Sequence, residues 1–459
     1  MKSNPVNRHL LFFLIAISLC GCSKKATEPN PPPEPADLLV RLNSLPGVAA
    51  TEIDPPSESF HTRAFEIEVA QPIDHNNPAS GTFNQRVYLS HFDEDAPMVM
   101  RTSGYAEWRN RVGEVCGILT ANQLHISHRY MGTSIPYPVD WQYLTVAQAA
   151  ADHHRIVELF KEIYTGQWVS TGRSKGGQAA LFHRRFYPDD VAITIAMVAP
   201  IVFDTEDTRF ETYLSEVVSD EACREKIRQF QTLCLQERDN LLPYLDYYAD
   251  TSSLTFSMSM DSVLEFSVLE FPFAFFQSSP GNCDDVPDET STYLEMFEAL
   301  MTFSGIDLFS VEYIQYYGPV YYQIYTEIGY YRLVDDHLLD LMEALPDPTY
   351  SCLAPAGVEL VYHPEVLQDI GQWLSTQGDS IIYVYGVMDP WSAAAVEFGG
   401  GANALLIMEP GANHSVEIQT LSDPTPVYEK LETWLGIDLQ TSAQARPAIE
   451  YDDPGVPRM

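Results

Sequence analysis

The sequence predicts an α/β fold: a mostly parallel sheet covered by helices and split by a helical insertion. Three observations carry this. Short apolar, strand-like runs alternate with helix-period segments between about residues 97 and 190. Near 205 the alternation gives way to helical segments rich in Tyr, Phe, Leu and acids, which continue to about 355. It then resumes at 381–385 and 404–408. Parallel strands need crossover connections, and helices of this period supply them on both faces of a sheet.

Taken in order, residues 64–70 (AFEIEVA) alternate apolar and polar side chains with the two-residue period of a half-buried strand. The turn-forming stretch HNNPASG at 75–81 precedes a second strand at 86–90, so an early hairpin is expected. PMVMR at 97–101 reads as a buried strand entering the loop Ser103-Gly104-Tyr105, and 123–127 as another strand. Residues 144–164 set Val146, Ala149, Ala150, Ile156, Val157 and Phe160 on one helical face. A strand at 168–170, a tight turn at 172–177 and a helix at 178–186 follow. The insertion at 205–355 holds the notably apolar run 263–276 and is expected to form a helical cap. The halves of the sheet domain then fall at 41–204 and 356–439, with a closing helix around 426–434 and a loose polar tail at 440–459.

Of the 459 residues, 45% are hydrophobic and 12% aromatic, enough for a sizeable core. The formal charge of −38 speaks against nucleic acid, whose phosphates need clustered Lys and Arg, and against peripheral binding to anionic lipid head groups. At the N-terminus, Lys2 and Arg8 precede the apolar run 10–19 and the sequence Leu19-Cys20-Gly21-Cys22. A charged start and an h-region of this length fit a secretory signal at 1–21 better than a membrane span. Its ending resembles a bacterial lipobox, with Cys22 as the residue that receives lipid and Ser23 pointing to the outer membrane. Residues 22–40, Pro-rich over SKKATEPNPPPEPAD, read as an extended tether. The expected location is therefore the cell envelope, lipid-anchored or secreted. An exported chain can oxidise its remaining cysteines, 116, 223, 234, 283 and 352, and the odd number leaves at least one unpaired. Cys223 with Cys234, and Cys283 with Cys352, are the expected pairs. No C-x-x-C or H-E-x-x-H spacing occurs, so no metal or other cofactor is expected.

Gly172-Arg173-Ser174-Lys175-Gly176 fits G-x-S-x-G where a strand passes into a helix. In an α/β-hydrolase fold that turn is sharp and strained, raises the serine hydroxyl above the sheet and needs glycines for the crowded backbone. A serine hydroxyl needs a base, and the base a partner, in the chain order serine, acid, histidine. Asp389 follows the strand at 381–385, and His414 lies in the loop after 404–408, both just past strand ends on the edge where the serine turn must lie. The oxyanion of an acyl-transfer reaction needs two N–H donors. Lys175 supplies one and the loop at Gly104 or Tyr105 the other. The Lys175 side chain is expected to be solvated and without a catalytic role.

With these residues, further stretches resemble the Streptomyces tripeptidyl aminopeptidase family of secreted serine peptidases, related to lysosomal Pro-Xaa carboxypeptidases and dipeptidyl peptidases. They are Gln71-Pro72-Ile73-Asp74-His75 with Gly81-Thr82-Phe83-Asn84-Gln85-Arg86-Val87, His128-Arg129-Tyr130 with Gly132-Thr133-Ser134, and Leu144-Thr145 with Gln148-Ala149-Ala150 and Asp152. Ser174-Lys175-Gly176-Gly177, Arg184-Arg185-Phe186-Tyr187-Pro188, Asp389-Pro390-Trp391-Ser392, and Gly411 with Asn413-His414 complete the set. The resemblance implies an α/β-hydrolase with a helical cap that acts on oligopeptides from the free N-terminus, often with proline or small residues near the cut. It carries the triad onto Ser174, Asp389 and His414, and leaves Trp391 either lining the pocket or in the core. Two positions depart from the family's pattern: Ser103 stands where an acid is expected, and Arg173 where a smaller residue is. Two other readings stay open, a carboxylesterase with the same triad and a non-catalytic surface-binding lipoprotein on a degenerate hydrolase fold. Dependence on a free amine separates the first, and failure to react with a serine-directed fluorophosphonate the second.

Overall fold

The computed structural model describes residues 36–439 apart from 58, 279–281, 334–335, 346–347 and 400–402. The expected signal peptide with Cys22, and the expected tail at 440–459, lie outside the described residues. A short helix, α1 (Leu38–Leu42), buries Leu38 and Leu42, so the last residues assigned to the tether belong instead to the folded body. The chain continues through β1 (Val48–Ile53), β2 (Arg63–Pro72), β3 (Thr82–His91), β4 (Met98–Thr102), α2 (Glu114–Leu119), β5 (Asn122–Ile126), α3 (Val146–Phe160), β6 (Trp168–Arg173), α4 (Lys175–Phe186) and β7 (Ile193–Met197). The cap contains α5 (Arg209–Glu216), α6 (Glu221–Gln236), α7 (Arg238–Ser252), α8 (Met260–Ser278), α9 (Tyr293–Ser304) and α10 (Val311–Gln323). The sheet resumes with α11 (Pro364–Gln377), β8 (Asp379–Gly386), β9 (Asn403–Glu409) and α12 (Thr425–Leu435).

The nine strands form one sheet in the order β1-β2-β3-β5-β4-β6-β7-β8-β9. β1, β2 and β3 pair antiparallel, and β3 joins β5 antiparallel. From β5 to β9 every pairing is parallel. The 64–70 alternation is the hairpin strand β2, while β4, β5 and β7 are buried at every position, as strands covered on both faces must be. This is an α/β-hydrolase fold with the cap inserted between β7 and β8. Because β4, β6, β8 and β9 run the same way, the loops after them collect at one edge. Beside the hairpin, Arg129 grips Asp152 through Nε (2.7 Å) and Nη2 (2.8 Å), and His75 donates to the same carboxylate at 2.7 Å. Several of the family-like residues are thus a buried structural network rather than a site.

The cysteine pairing differs from expectation. Cys223 bonds Cys283, and among the described residues Cys116, Cys234 and Cys352 form no disulfide. Cys223 and Cys234 both lie on α6, eleven positions apart, which sets them about 16 Å apart along the axis, far beyond disulfide reach. Cys283 instead lies at the start of α6, where its Cα is 5.5 Å from that of Cys223. The bond closes a segment of 60 residues, so Cys223→Ser with Cys283→Ser is expected to cost about 2–5 kcal/mol of unfolding free energy. Denaturant titration measures this, and a non-reducing peptide map showing Cys223 bonded to Cys234 would overturn the assignment.

Candidate active site

Ser174 alone makes the turn from β6 into α4, at φ 54° and ψ −129°. That region is strained for a residue with a Cβ, and the neighbouring backbones enforce it. A Cβ on Gly172 would stand 2.3 Å from the Gly176 carbonyl oxygen, and one on Gly176 would stand 2.6 Å from the Thr102 carbonyl oxygen. Both glycines of the motif are therefore required by close approach. The helix also starts three residues earlier than its periodicity suggested, because the turn is a single residue long.

His414 Nδ1 lies 2.7 Å from Asp389 Oδ2, and both side chains are buried. Asp389 Oδ1 accepts the Trp391 N–H at 3.1 Å, which fixes the carboxylate plane. The imidazole is held from two sides. Its own backbone N–H donates to the Gln277 carbonyl on α8 at 3.2 Å. Its carbonyl accepts Arg173 Nη1 at 2.5 Å, while Arg173 Nη2 reaches the Val416 carbonyl at 2.7 Å. The unexpectedly large residue before the serine is thus a staple between the serine turn and the histidine loop. Ser174 and His414 open onto one cavity of about 670 Å³, together with Gly104, Tyr105, Glu270 and Trp391, a volume typical of small-ligand sites. Ser174 Oγ makes no hydrogen bond among the described residues, a common state of such serines before substrate arrives.

Sequence reasoning placed Lys175 in solvent, and the structure corrects this. Its side chain is buried, and Nζ donates to the Gly104 carbonyl at 3.1 Å. Burial pushes its pKa down to about 7, since the charged form loses its hydration. The neighbouring Tyr105 N–H donates to Ser103 Oγ at 3.0 Å. Trp391 is half-buried between the cavity and the rings of Phe210, Phe273, Tyr330 and Tyr331.

Two carboxylates that sequence reasoning did not single out also line the cavity, Glu107 and Glu270. Burial would raise the Glu107 carboxyl, but the His125 contact, with the charge of Arg101 and the Ser103 hydroxyl, outweighs it and holds the pKa at about 2. Burial pushes the His125 imidazole down to about 4, so its 2.9 Å contact to Glu107 is a neutral imidazole donating to a carboxylate. Glu270 is the reverse: burial lifts its carboxyl to about 7 against the hydrogen bonds of Tyr331 and Tyr350. Among the described residues no group of three or more His, Cys, Asp or Glu side chains could hold a metal ion.

The buried lysine makes a prediction of definite sign. Between pH 7 and 9 the unfolded chain keeps this amine protonated while the folded protein releases the proton. Unfolding free energy therefore gains up to about 1.4 kcal/mol per pH unit from this group. The stability difference between the native protein and Lys175→Met, from denaturant titrations at pH 7, 8 and 9, is expected to rise with pH in favour of the native protein. A difference flat with pH would sink the assignment.

The sequence matches the PS-10 peptidase S37 family over residues 31–448. It is 30% identical over 460 aligned positions to the prolyl tri/tetrapeptidyl aminopeptidase of Streptomyces mobaraensis, covering 97% of this chain and 96% of that protein. Among solved structures, proline iminopeptidase from Mycobacterium smegmatis aligns at a TM-score of 0.34 and 11% identity, over 82% of this chain and 98% of that one. The acetyl xylan esterase from Paenibacillus sp. R4 aligns at 0.34 and 11% identity, over 86% and 90%. The near full-length match to the family, around a strained serine turn and a buried Asp–His pair, places the chain in the PS-10 peptidase S37 family, as a serine peptidase of α/β-hydrolase fold.

Proposed function

We propose that the protein releases short peptides, of the tri- or tetrapeptide length in its relative's name, from free N-termini through an acyl-enzyme on Ser174. The observation that carries this reading is the buried Asp389–His414 pair, opening with the strained Ser174 onto one capped cavity. In the first step His414 Nε2 takes the Ser174 proton as Oγ attacks the scissile carbonyl carbon. Asp389 holds Nδ1–H and stabilises the imidazolium. The oxyanion takes the Lys175 N–H, a first-turn donor with no partner inside the helix, and a second donor from the Gly104–Tyr105 loop. The imidazolium then protonates the leaving amine, and a water activated by His414 releases the acyl peptide.

The charged leader and the lipobox-like Cys22 support export and anchoring in the cell envelope. Metabolic labelling with a radioactive fatty acid, lost in Cys22→Ala, tests that part. The enzymatic reading is tested by mass spectrometry on a peptide pool, half with free and half with acetylated N-termini, with Ser174→Ala as blank. Shortening of the free peptides alone, in fixed N-terminal steps, is the expected outcome. Turnover of a simple aryl ester with no peptide cut would identify a carboxylesterase instead. Arg173→Met, which loses two charge-assisted hydrogen bonds to the His414 loop, is expected to lower kcat roughly tenfold or more with little change in KM. A kcat within twofold of the native value would show that the staple does not position the base.

A further inference from the structure

Resting on that exopeptidase reading, we propose that Glu270 anchors the ammonium group of the substrate's N-terminus, and that its position along α8 sets the length released. Glu270 is buried on the inner face of α8 and opens onto the cavity that holds Ser174 and His414. Its Oε2 accepts the hydroxyls of Tyr331 (2.5 Å) and Tyr350. Both bonds fall on one oxygen, and Oε1 has no partner among the described residues.

What sets this carboxylate apart among the acids of α8 and of the cavity is that it has neither a cation nor a backbone N–H. Glu114 and Glu409, buried elsewhere without an ion pair, take the N–H groups of Ile418 and Gln419 and of Ser422. Glu265, one and a half turns earlier on α8, takes Arg238 at 2.6 Å and the N–H groups of Glu343, Ala344 and Leu345. Asp152 takes Arg129, and Glu107, the other acid of the cavity, is held by His125 and Arg101. Glu270 has phenols alone. A buried carboxyl with no positive partner is costly in its ionised form, which is why burial raises it to about 7. An arriving ammonium removes that cost and ionises it. The surroundings suit the same guest: the rings of Tyr321, Tyr330 and Trp391 line the cavity with it, and aromatic faces attract alkylammonium groups. A neutral or anionic chain end gains neither contribution.

Helix geometry gives the spacing. Gln277, whose carbonyl holds the His414 N–H, follows Glu270 by seven residues on the same helix. Seven residues are close to two full turns, so both side chains leave one face, about 10 Å apart along the axis. An extended peptide covers that span in about three residues. A chain with its amine on Glu270 would therefore present its third or a neighbouring peptide bond to the triad.

Binding to Ser174→Ala tests the anchor without relying on turnover. The probes are the tripeptide alanyl-alanyl-proline with a free and with an acetylated amine, measured by calorimetry. The free form is expected to bind about 30-fold more tightly, the size of one charged hydrogen-bond contact. Adding Glu270→Gln, which keeps an acceptor for both phenols, is expected to erase that preference. Equal affinity of the two probes, or a preference that survives Glu270→Gln, overturns the anchor. The spacing is read from anilide substrates of the native enzyme, where tripeptidyl anilides are expected to exceed dipeptidyl ones at least 100-fold in kcat/KM; a dipeptidyl preference overturns it. Failure of the triad reading shows separately, as absent fluorophosphonate labelling of Ser174 beside an intact binding preference.

Discussion

Gln277 makes two hydrogen bonds on which the arrangement of the site depends. Its backbone carbonyl accepts the His414 N–H, and its side-chain oxygen accepts the Trp391 Nε1–H at 3.2 Å. One residue near the end of a cap helix thus touches the histidine loop and the loop that starts at Asp389, two segments contributed by the far half of the sheet. Tyr213 on α5 adds a bond from its hydroxyl to the Val387 carbonyl at 2.9 Å. The cap is therefore part of the framework that holds His414 beside Asp389, not an accessory laid over a finished sheet domain. On the opposite side Arg173 holds the same loop from beneath, so His414 is fixed between the sheet and the insertion. A small change in α8 would reach the imidazole without touching it.

The same helix shows how the fold manages charge in an apolar setting. Leaving the chain's acids unpaired inside the cap would destabilise it by several kcal/mol each, and Glu265 shows the solution: one arginine and three backbone N–H groups converge on it. Glu270 sits five residues further along, among Phe266, Phe273 and the tyrosines, with no such arrangement. A single exception within one helix, facing the one cavity that also holds the serine, is better explained by a guest that supplies the charge than by imperfect packing.

Much of this was legible in the chain. The serine turn, Asp389 and His414 could be placed because each follows a strand whose apolar run is unmistakable, and parallel topology then forces the loops to one edge. The features missed have a common cause: they depend on contacts between distant segments. The pairing of Cys223 with Cys283 follows from where α8 ends relative to the start of α6, which no spacing rule contains. Lys175 looked like a solvated residue at a helix start until the Gly104 loop was seen to cover it. Strand β7, short and preceded by α4, is followed by the insertion rather than by a single crossover helix leading to the next strand. Glu270 did leave a trace, since an acid inside the apolar run 263–276 has to be compensated by something, but the sequence alone does not say that Glu265 is compensated and Glu270 is not.

Ser103 can now be understood through the peptide it precedes. In a trans peptide the carbonyl and the N–H point in opposite directions, so the Lys175 bond to the Gly104 oxygen turns the Tyr105 N–H the other way. In the structure that N–H rests on Ser103 Oγ. A neutral hydroxyl releases such a donor to a developing oxyanion at modest cost. A carboxylate at the same position would hold the N–H more tightly and would also repel the charge forming nearby. A serine at 103 is therefore compatible with acyl transfer. Under the proposed anchoring, the negative charge that recognises a free N-terminus lies in the cap, about three residues' length from the reacting carbon, where it attracts the amine without opposing the oxyanion.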